Sequence, residues 1–127
     1  MMPADRTDFL ELFPDEPKIS LKAGEVLFSA GAKADAMYVI LAGAVIVCNG
    51  PVIYEEVTKG GIVGEMAIVD DLPRSATVKA TTDTILAKVD KRLFVSTIQH
   101  TPQFAIGVMK VMAHRLRVTT SKLAKSA

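Results

Sequence analysis

In the stretch Val63-Gly64-Glu65-Met66-Ala67-Ile68-Val69-Asp70-Asp71-Leu72-Pro73-Arg74-Ser75-Ala76-Thr77-Val78-Lys79-Ala80, a carboxylate follows a glycine at once, and an arginine stands where an alternating run begins. These residue types in this order suit a sugar phosphate. Backbone N–H groups at the start of a helical turn point at an anion, as does the positive end of the helix dipole. Gly64 has no Cβ and lets the backbone approach closely. Arg74 offers a planar fork of donors matched to two phosphate oxygens. Glu65 cannot serve the phosphate, because two anions repel, so its natural task is to accept hydrogen bonds from ribose hydroxyls.

Arg74 carries a second signal. Ala76, Val78 and Ala80 alternate with Ser75, Thr77 and Lys79, and a period of two puts Arg74 on the face of the small apolar residues. An arginine facing inward needs an anion. The plain alternative is an arginine at a strand end whose apolar stem bends its head back into water. The Gly64-Glu65 pair ahead of it favours the inward reading.

The elements that must position these residues are short. Phe9, Leu10, Leu12 and Phe13 predict a helix capped by Thr7 or Asp8 and stopped by Pro14. Apolar runs then recur over Ile19–Leu21, Val26–Phe28, Tyr38–Leu41, Val45–Cys48, Val52–Val57, Ala76–Ala80 and Thr84–Val89, separated by Gly24, Gly31, Gly43, Asn49-Gly50 and Gly60-Gly61. Many short strands without long helices between them predict a mainly β fold, a sandwich or jelly-roll barrel. Asn49-Gly50 is the expected hairpin turn, with Pro51 limiting the pairing beyond it. Gly60, Gly61 and Gly64 are not a Walker loop, since its lysine-serine pair and its strand-helix context are missing. After the strands, Asp90 is placed to cap a helix through Leu93, Val95 and Ile98. Thr101 caps the next, with Pro102 at its first position, running from Phe104 beyond Lys122.

That last helix is apolar over half its circumference. Lys110, His114, Arg117, Ser121 and Lys125 form an ordinary solvated side, and the apolar side holds two stripes. Phe104, Val108, Val111 and Val118 form the first, expected to pack on the barrel. Met109, Met112, Leu116 and Leu123 form the second, expected to meet another copy of the helix in a homodimer. Packing of both stripes in one broad groove of the chain's own barrel is the alternative. Arg115 lies within the first stripe, so an acidic partner is expected for it. Thr119 lies in the second and Thr120 at its edge, placed to face a purine at the seam, although helical threonines often bond only their own backbone.

Composition sets the limits. The chain has 127 residues, half of them hydrophobic, which suits one domain over 1–127 with a barrel at about 19–90 and helices at about 91–123. With 15 basic and 14 acidic side chains the net charge is +1, without the basic excess of a nucleic-acid binder. Cys48 is the single cysteine, so no internal disulfide forms, and a buried thiol in a reducing compartment is expected. Asp5, Arg6 and Asp8 interrupt any signal-peptide core, and the longest uncharged stretch, Ala36 to Tyr54, is broken by Gly43 and by Asn49-Gly50-Pro51, so no bilayer span is expected. A cytoplasmic protein without a membrane partner is the expectation. The only histidines, His100 and His114, cannot form a metal-binding cluster of histidines, which argues against a jelly-roll metalloenzyme and against metal-activated water.

The run from Gly64 to Val78 resembles the phosphate-binding cassette of the cyclic nucleotide-binding domain family: Gly-Glu, a small and an aliphatic residue, a short loop, then Arg, a small residue, Ala, any residue and an aliphatic. Gly24-Glu25, Gly31, Met37-Tyr38-Val39-Ile40 and Gly43 also match the family's turn glycines and second strand pair, so the resemblance covers about Ile19 to Lys122. Gly61 and Val63 depart from it where members often carry an acidic and an aromatic residue. The resemblance implies a jelly-roll barrel with a short N-terminal helix and two C-terminal helices. It implies a ligand, cyclic AMP with cyclic GMP as the alternative, at Gly64, Glu65, Met66, Ala67, Arg74, Ser75 and Ala76, and no cofactor. Ser75 is compatible with either nucleotide, since a hydroxyl there often accompanies cyclic GMP and an alanine cyclic AMP. Met112 to Thr120 further resembles the dimer helix of the bacterial catabolite activators. From that likeness Arg115 is expected to interact with Glu65, and Thr119 and Thr120 to contact adenine, one of them across the dimer. The expected function is a stand-alone sensor without catalysis that signals to a downstream protein. A sensor fragment of a transcription factor or channel is the alternative.

Overall fold

Short apolar runs broken by turn residues become strands wherever a second sheet can cover one face. The computed structural model describes residues 9–14 and 16–126, with side chains as far as Ser121. Its strands are β1 (Lys18–Leu21), β2 (Val26–Phe28), β3 (Ala36–Ala42), β4 (Ala44–Asn49), β5 (Val52–Thr58), β6 (Ile62–Val63), β7 (Thr77–Ala80) and β8 (Thr84–Asp90). They form two four-stranded sheets, ordered β1-β8-β3-β6 and β2-β7-β4-β5. All the pairings are antiparallel, and the arrangement is the expected jelly roll. The helices are α1 (Phe9–Leu12), α2 (Glu65–Asp70), α3 (Lys91–His100) and α4 (Pro102–Ser126). The proposed caps Thr7 and Asp8 lie outside the described residues.

The chain divides into two compact units, one over 8–94 and the other from Val95 onward. In the first, Ala36, Tyr38 and Ile40 of β3 and Leu86 of β8 join Val45, Val57 and Val78 of the opposite sheet in one cluster. Met37 and Val39, on the other face of β3, are also fully buried, because α1 and α2 pack on that strand. A strand covered on both faces has no reason to alternate, and its sequence is a continuous apolar run. Cys48 is buried and free.

Some boundaries differ from expectation. The β4–β5 hairpin pairs Asn49 with Val52, so Gly50 and Pro51 make the turn rather than Asn49 and Gly50. Gly50 has φ 60, a left-handed value that glycine adopts freely, and proline tolerates the position after it because no ladder N–H is required there. β7 starts at Thr77, one residue later than predicted. β6 pairs Tyr38 with Val63 and Val39 with Ile62, and went unpredicted because its two residues are too short to show a period.

In the second unit, Thr101 lies between α3 and α4, and its carbonyl accepts from the N–H of Phe104 at 2.9 Å. Upstream, at the head of α3, the Asp90 carboxylate accepts from the N–H of Leu93 at 2.8 Å, as its capping position requires. Among the described residues, no helix is long and apolar enough to cross a membrane.

Candidate functional site

Gly64 opens α2 in the left-handed region, φ 82, and no side chain caps the helix there. A Cβ at this position would lie 2.6 Å from Arg74 Nη1 and 3.3 Å from the Ala36 carbonyl oxygen, so the glycine is required for conformation and for space. Glu65 is the first residue of α2 and 3% exposed. Its Oε2 accepts from the N–H of Met66 at 3.2 Å. Ala67 is buried and Met66 exposed. The helix ends at Asp71, itself left-handed at φ 60, whose N–H donates to the Ala67 carbonyl. Leu72 N–H then donates to Asp70 Oδ1 at 3.1 Å, and Pro73 leads to Arg74.

Backbone groups hold Arg74 at its main chain and at both ends of its fork. Its N–H donates to the Ala32 carbonyl at 2.9 Å, and its own carbonyl accepts from Gly31 N–H at 2.8 Å. The side chain is 4% exposed. Nη1 donates to the Gly64 carbonyl at 3.0 Å and Nη2 to the Ala36 carbonyl at 2.6 Å. The guanidinium carbon lies 3.9 Å from the Phe28 ring centroid and 6.0 Å from that of Tyr38. Nε is buried without a hydrogen-bond partner.

Burial pulls the Arg74 guanidinium below the usual arginine range, while Tyr38, Asp35 and Glu65 work the other way. Burial also pushes the Tyr38 phenol up. Among the described residues no carboxylate makes an ion pair with Arg74, whose charge is met by carbonyl dipoles and ring faces. A buried cation so arranged, with a donor left over, fits an anion.

Gly64, Glu65, Met66, Ala67 and Arg74 therefore come together in the first unit. The alternation forecast for Arg74 holds: Arg74, Val78 and Ala80 are buried, Ser75 and Lys79 exposed, and Ala76 and Thr77 half-buried. Sequence reasoning missed Phe28, Ala36 and Tyr38, which surround the guanidinium, and Ala32, whose carbonyl accepts from the Arg74 backbone N–H. In the sequence Gly31 reads as a turn only. Its position between two strands was visible, but nothing in the spacing ties it to Arg74.

Arg115, Thr119 and Thr120 belong to α4 in the second unit. Arg115 is half-buried and both threonines are exposed. Phe104, Val108 and Val111 of the first stripe are buried, whereas Val118 is 38% exposed, so the stripe's buried part ends earlier than expected. In the second stripe Met109 is 54% and Leu116 67% exposed, and Met112 is half-buried. The Leu123 side chain lies outside those described.

The cyclic nucleotide-binding domain model matches residues 18–101, which takes in both sheets, α2 and Arg74. The chain belongs to the cyclic nucleotide-binding domain family. Its curated relatives include lysophospholipase nte1 of Aspergillus niger, 36% identical over 78% of this chain, and lysophospholipase NTE1 of Chaetomium globosum, 31% identical over the same share. The chain spans 7% of the length of each. Among solved structures, the catabolite activator protein of Thermus thermophilus matches 91% of this chain and 55% of its own, with a TM-score of 0.78 at 23% identity, a likeness of fold. The cAMP-bound form of the EAL enzyme Bd1971 matches 85% of this chain and 30% of its own, with a TM-score of 0.62 at 27% identity. As a cyclic nucleotide-binding domain, the chain carries Gly64, Glu65 and Arg74 in the order of the family cassette.

Proposed function

We propose that this domain is a sensor for a purine cyclic nucleotide, preferring cyclic AMP to cyclic GMP, and that it carries out no catalysis. The observation that carries the reading is the buried Arg74 cation, anchored on the Gly64 and Ala36 carbonyls with Nε still unpartnered. A cyclic phosphodiester has one negative charge, which one guanidinium balances. Glu65, next to Gly64 and 3% exposed, serves the ribose hydroxyl. Met66, Ala67, Ser75 and Ala76 line the same cassette. For Arg115, Thr119 and Thr120 a part in nucleotide binding rests on the resemblance alone, and the two threonines are the reason for preferring adenine.

Signalling runs through α4 and a homodimer. Met109 and Leu116 are seven residues apart, lie on one helix face and are both more than half exposed, the pattern of a seam between two helices. The partner that reads the change is another protein. Lysophospholipase activity belongs to the names of the much longer relatives and is not proposed for this domain.

The test is Arg74→Ala. Truncating one partner of a buried charge pair typically costs about 2–5 kcal/mol, so calorimetry should register a loss of cyclic AMP affinity of roughly thirtyfold or more. A folded variant that binds within threefold of wild type contradicts the proposal.

A further inference from the structure

We infer that Phe28 is a positioning residue for the anion site, a flat platform that fixes the plane of the Arg74 guanidinium. Two carbonyls hold the ends of the fork, Gly64 at 3.0 Å and Ala36 at 2.6 Å. Two points define a line, and the fork still swings about it unless something holds its face. Phe28 supplies that face: the guanidinium carbon is 3.9 Å from the ring centroid, well inside cation–π range. Tyr38 backs the arrangement, its ring 6.2 Å from that of Phe28 and tilted by 32°.

Crowding agrees with a close fit. A Cβ on Gly64 would fall 3.3 Å from Phe28 Cε2 and 2.6 Å from Arg74 Nη1, so glycine, ring and guanidinium occupy adjoining space with no room for a methyl group. The ring also offsets the electrostatic cost of burial, since among the described residues no carboxylate pairs with Arg74. Phe28 is carried by β2, whose pairing of Phe28 with Val78 ties it to β7, four residues beyond Arg74.

The consequence for binding rests on Arg74 being the phosphate ligand. A guanidinium that samples several orientations binds more weakly by the fraction of time it spends in the competent one. Phe28→Leu keeps apolar bulk and removes the π face, so cyclic AMP affinity should fall about three- to thirtyfold, the range of a cation–π contact from exposed to desolvated. Phe28→Tyr, which keeps the face, should stay within about twofold.

A second readout does not involve nucleotide. In ligand-free protein with 15N-labelled arginine, the NMR order parameter of the Arg74 Nε–H bond reports swinging of the guanidinium plane. It should stay at the wild-type level in Phe28→Tyr and fall in Phe28→Leu. Should Phe28→Leu fail to fold, trifluorophenylalanine at position 28 keeps the ring's shape, drains its face of negative charge, and should lower the order parameter likewise. An unchanged order parameter in the Leu or fluorinated variant, or equal loss in the Leu and Tyr variants, overturns the platform. Full cyclic AMP affinity in Arg74→Ala would instead overturn the nucleotide reading, leaving the NMR result to decide the platform by itself.

Discussion

Glu65 sits almost wholly buried at the head of α2, with the Met66 N–H as one donor to its carboxylate. Beside Arg74 it looks like a liability for phosphate binding, and under the proposed function its value lies in what a carboxylate does well, namely accept from a ribose hydroxyl. A hydrogen bond to a charged group contributes about 1.5–3 kcal/mol. Glu65→Ala should therefore weaken cyclic AMP binding by roughly tenfold or more and binding of the 2′-deoxy analogue far less. Equal losses for both ligands would reassign Glu65 to a structural role. At this scale the sequence was informative about chemistry and silent about neighbours. The side chains of Gly64, Glu65 and Arg74 advertise themselves by type and order. The Ala36 carbonyl and the Phe28 ring do not, because a backbone acceptor has no residue-type signature and an aromatic in a strand reads as core.

Strand runs were legible where turns punctuate them, and the turns themselves hold the most testable element-scale feature. Gly43, between β3 and β4, has φ 90, and a Cβ there would lie 2.4 Å from the Asp83 carbonyl oxygen and 2.8 Å from Thr84 Cα. Gly31 has φ 85 but open space around it. Left-handed strain costs an L-residue about 1–2 kcal/mol, and overpacking against backbone adds about 1–3 kcal/mol. Gly43→Ala should thus destabilise the fold by roughly 2–5 kcal/mol and Gly31→Ala by about 1–2 kcal/mol in urea denaturation. Equal costs would mean that the Gly43 turn relaxes freely. What the sequence hid at this scale has definite causes. β6 is too short to show periodicity, β3 lacks alternation because both its faces are covered, and the hairpin turn falls one residue later than expected, with left-handed Gly50 as its first central residue. On α4 the broad apolar half was visible, but not that burial along the first stripe gives way to a half-buried Arg115 and an exposed Val118.

For the whole molecule, the homodimer proposed from the exposed Met109 and Leu116 requires that assembly and nucleotide affinity share one coupling free energy, so that each would strengthen the other by the same factor. Leu116→Glu should give a monomer with an intact cassette and weaker nucleotide binding, seen by sedimentation velocity with and without cyclic AMP. A wild type that sediments as a monomer under both conditions at tens of micromolar would exclude the dimer. The central claim, that the Gly64–Arg74 cassette holds a cyclic phosphodiester, is tested most directly by calorimetric titration of the wild-type chain with cyclic AMP, cyclic GMP and 5′-AMP. A phosphomonoester carries nearly two negative charges, and here it would meet one buried cation with the Glu65 carboxylate close by. The expected result is one nucleotide per chain, with cyclic AMP modestly tighter than cyclic GMP and at least about tenfold tighter than 5′-AMP. Equal affinity for 5′-AMP and cyclic AMP, or no heat with either cyclic nucleotide, would contradict it.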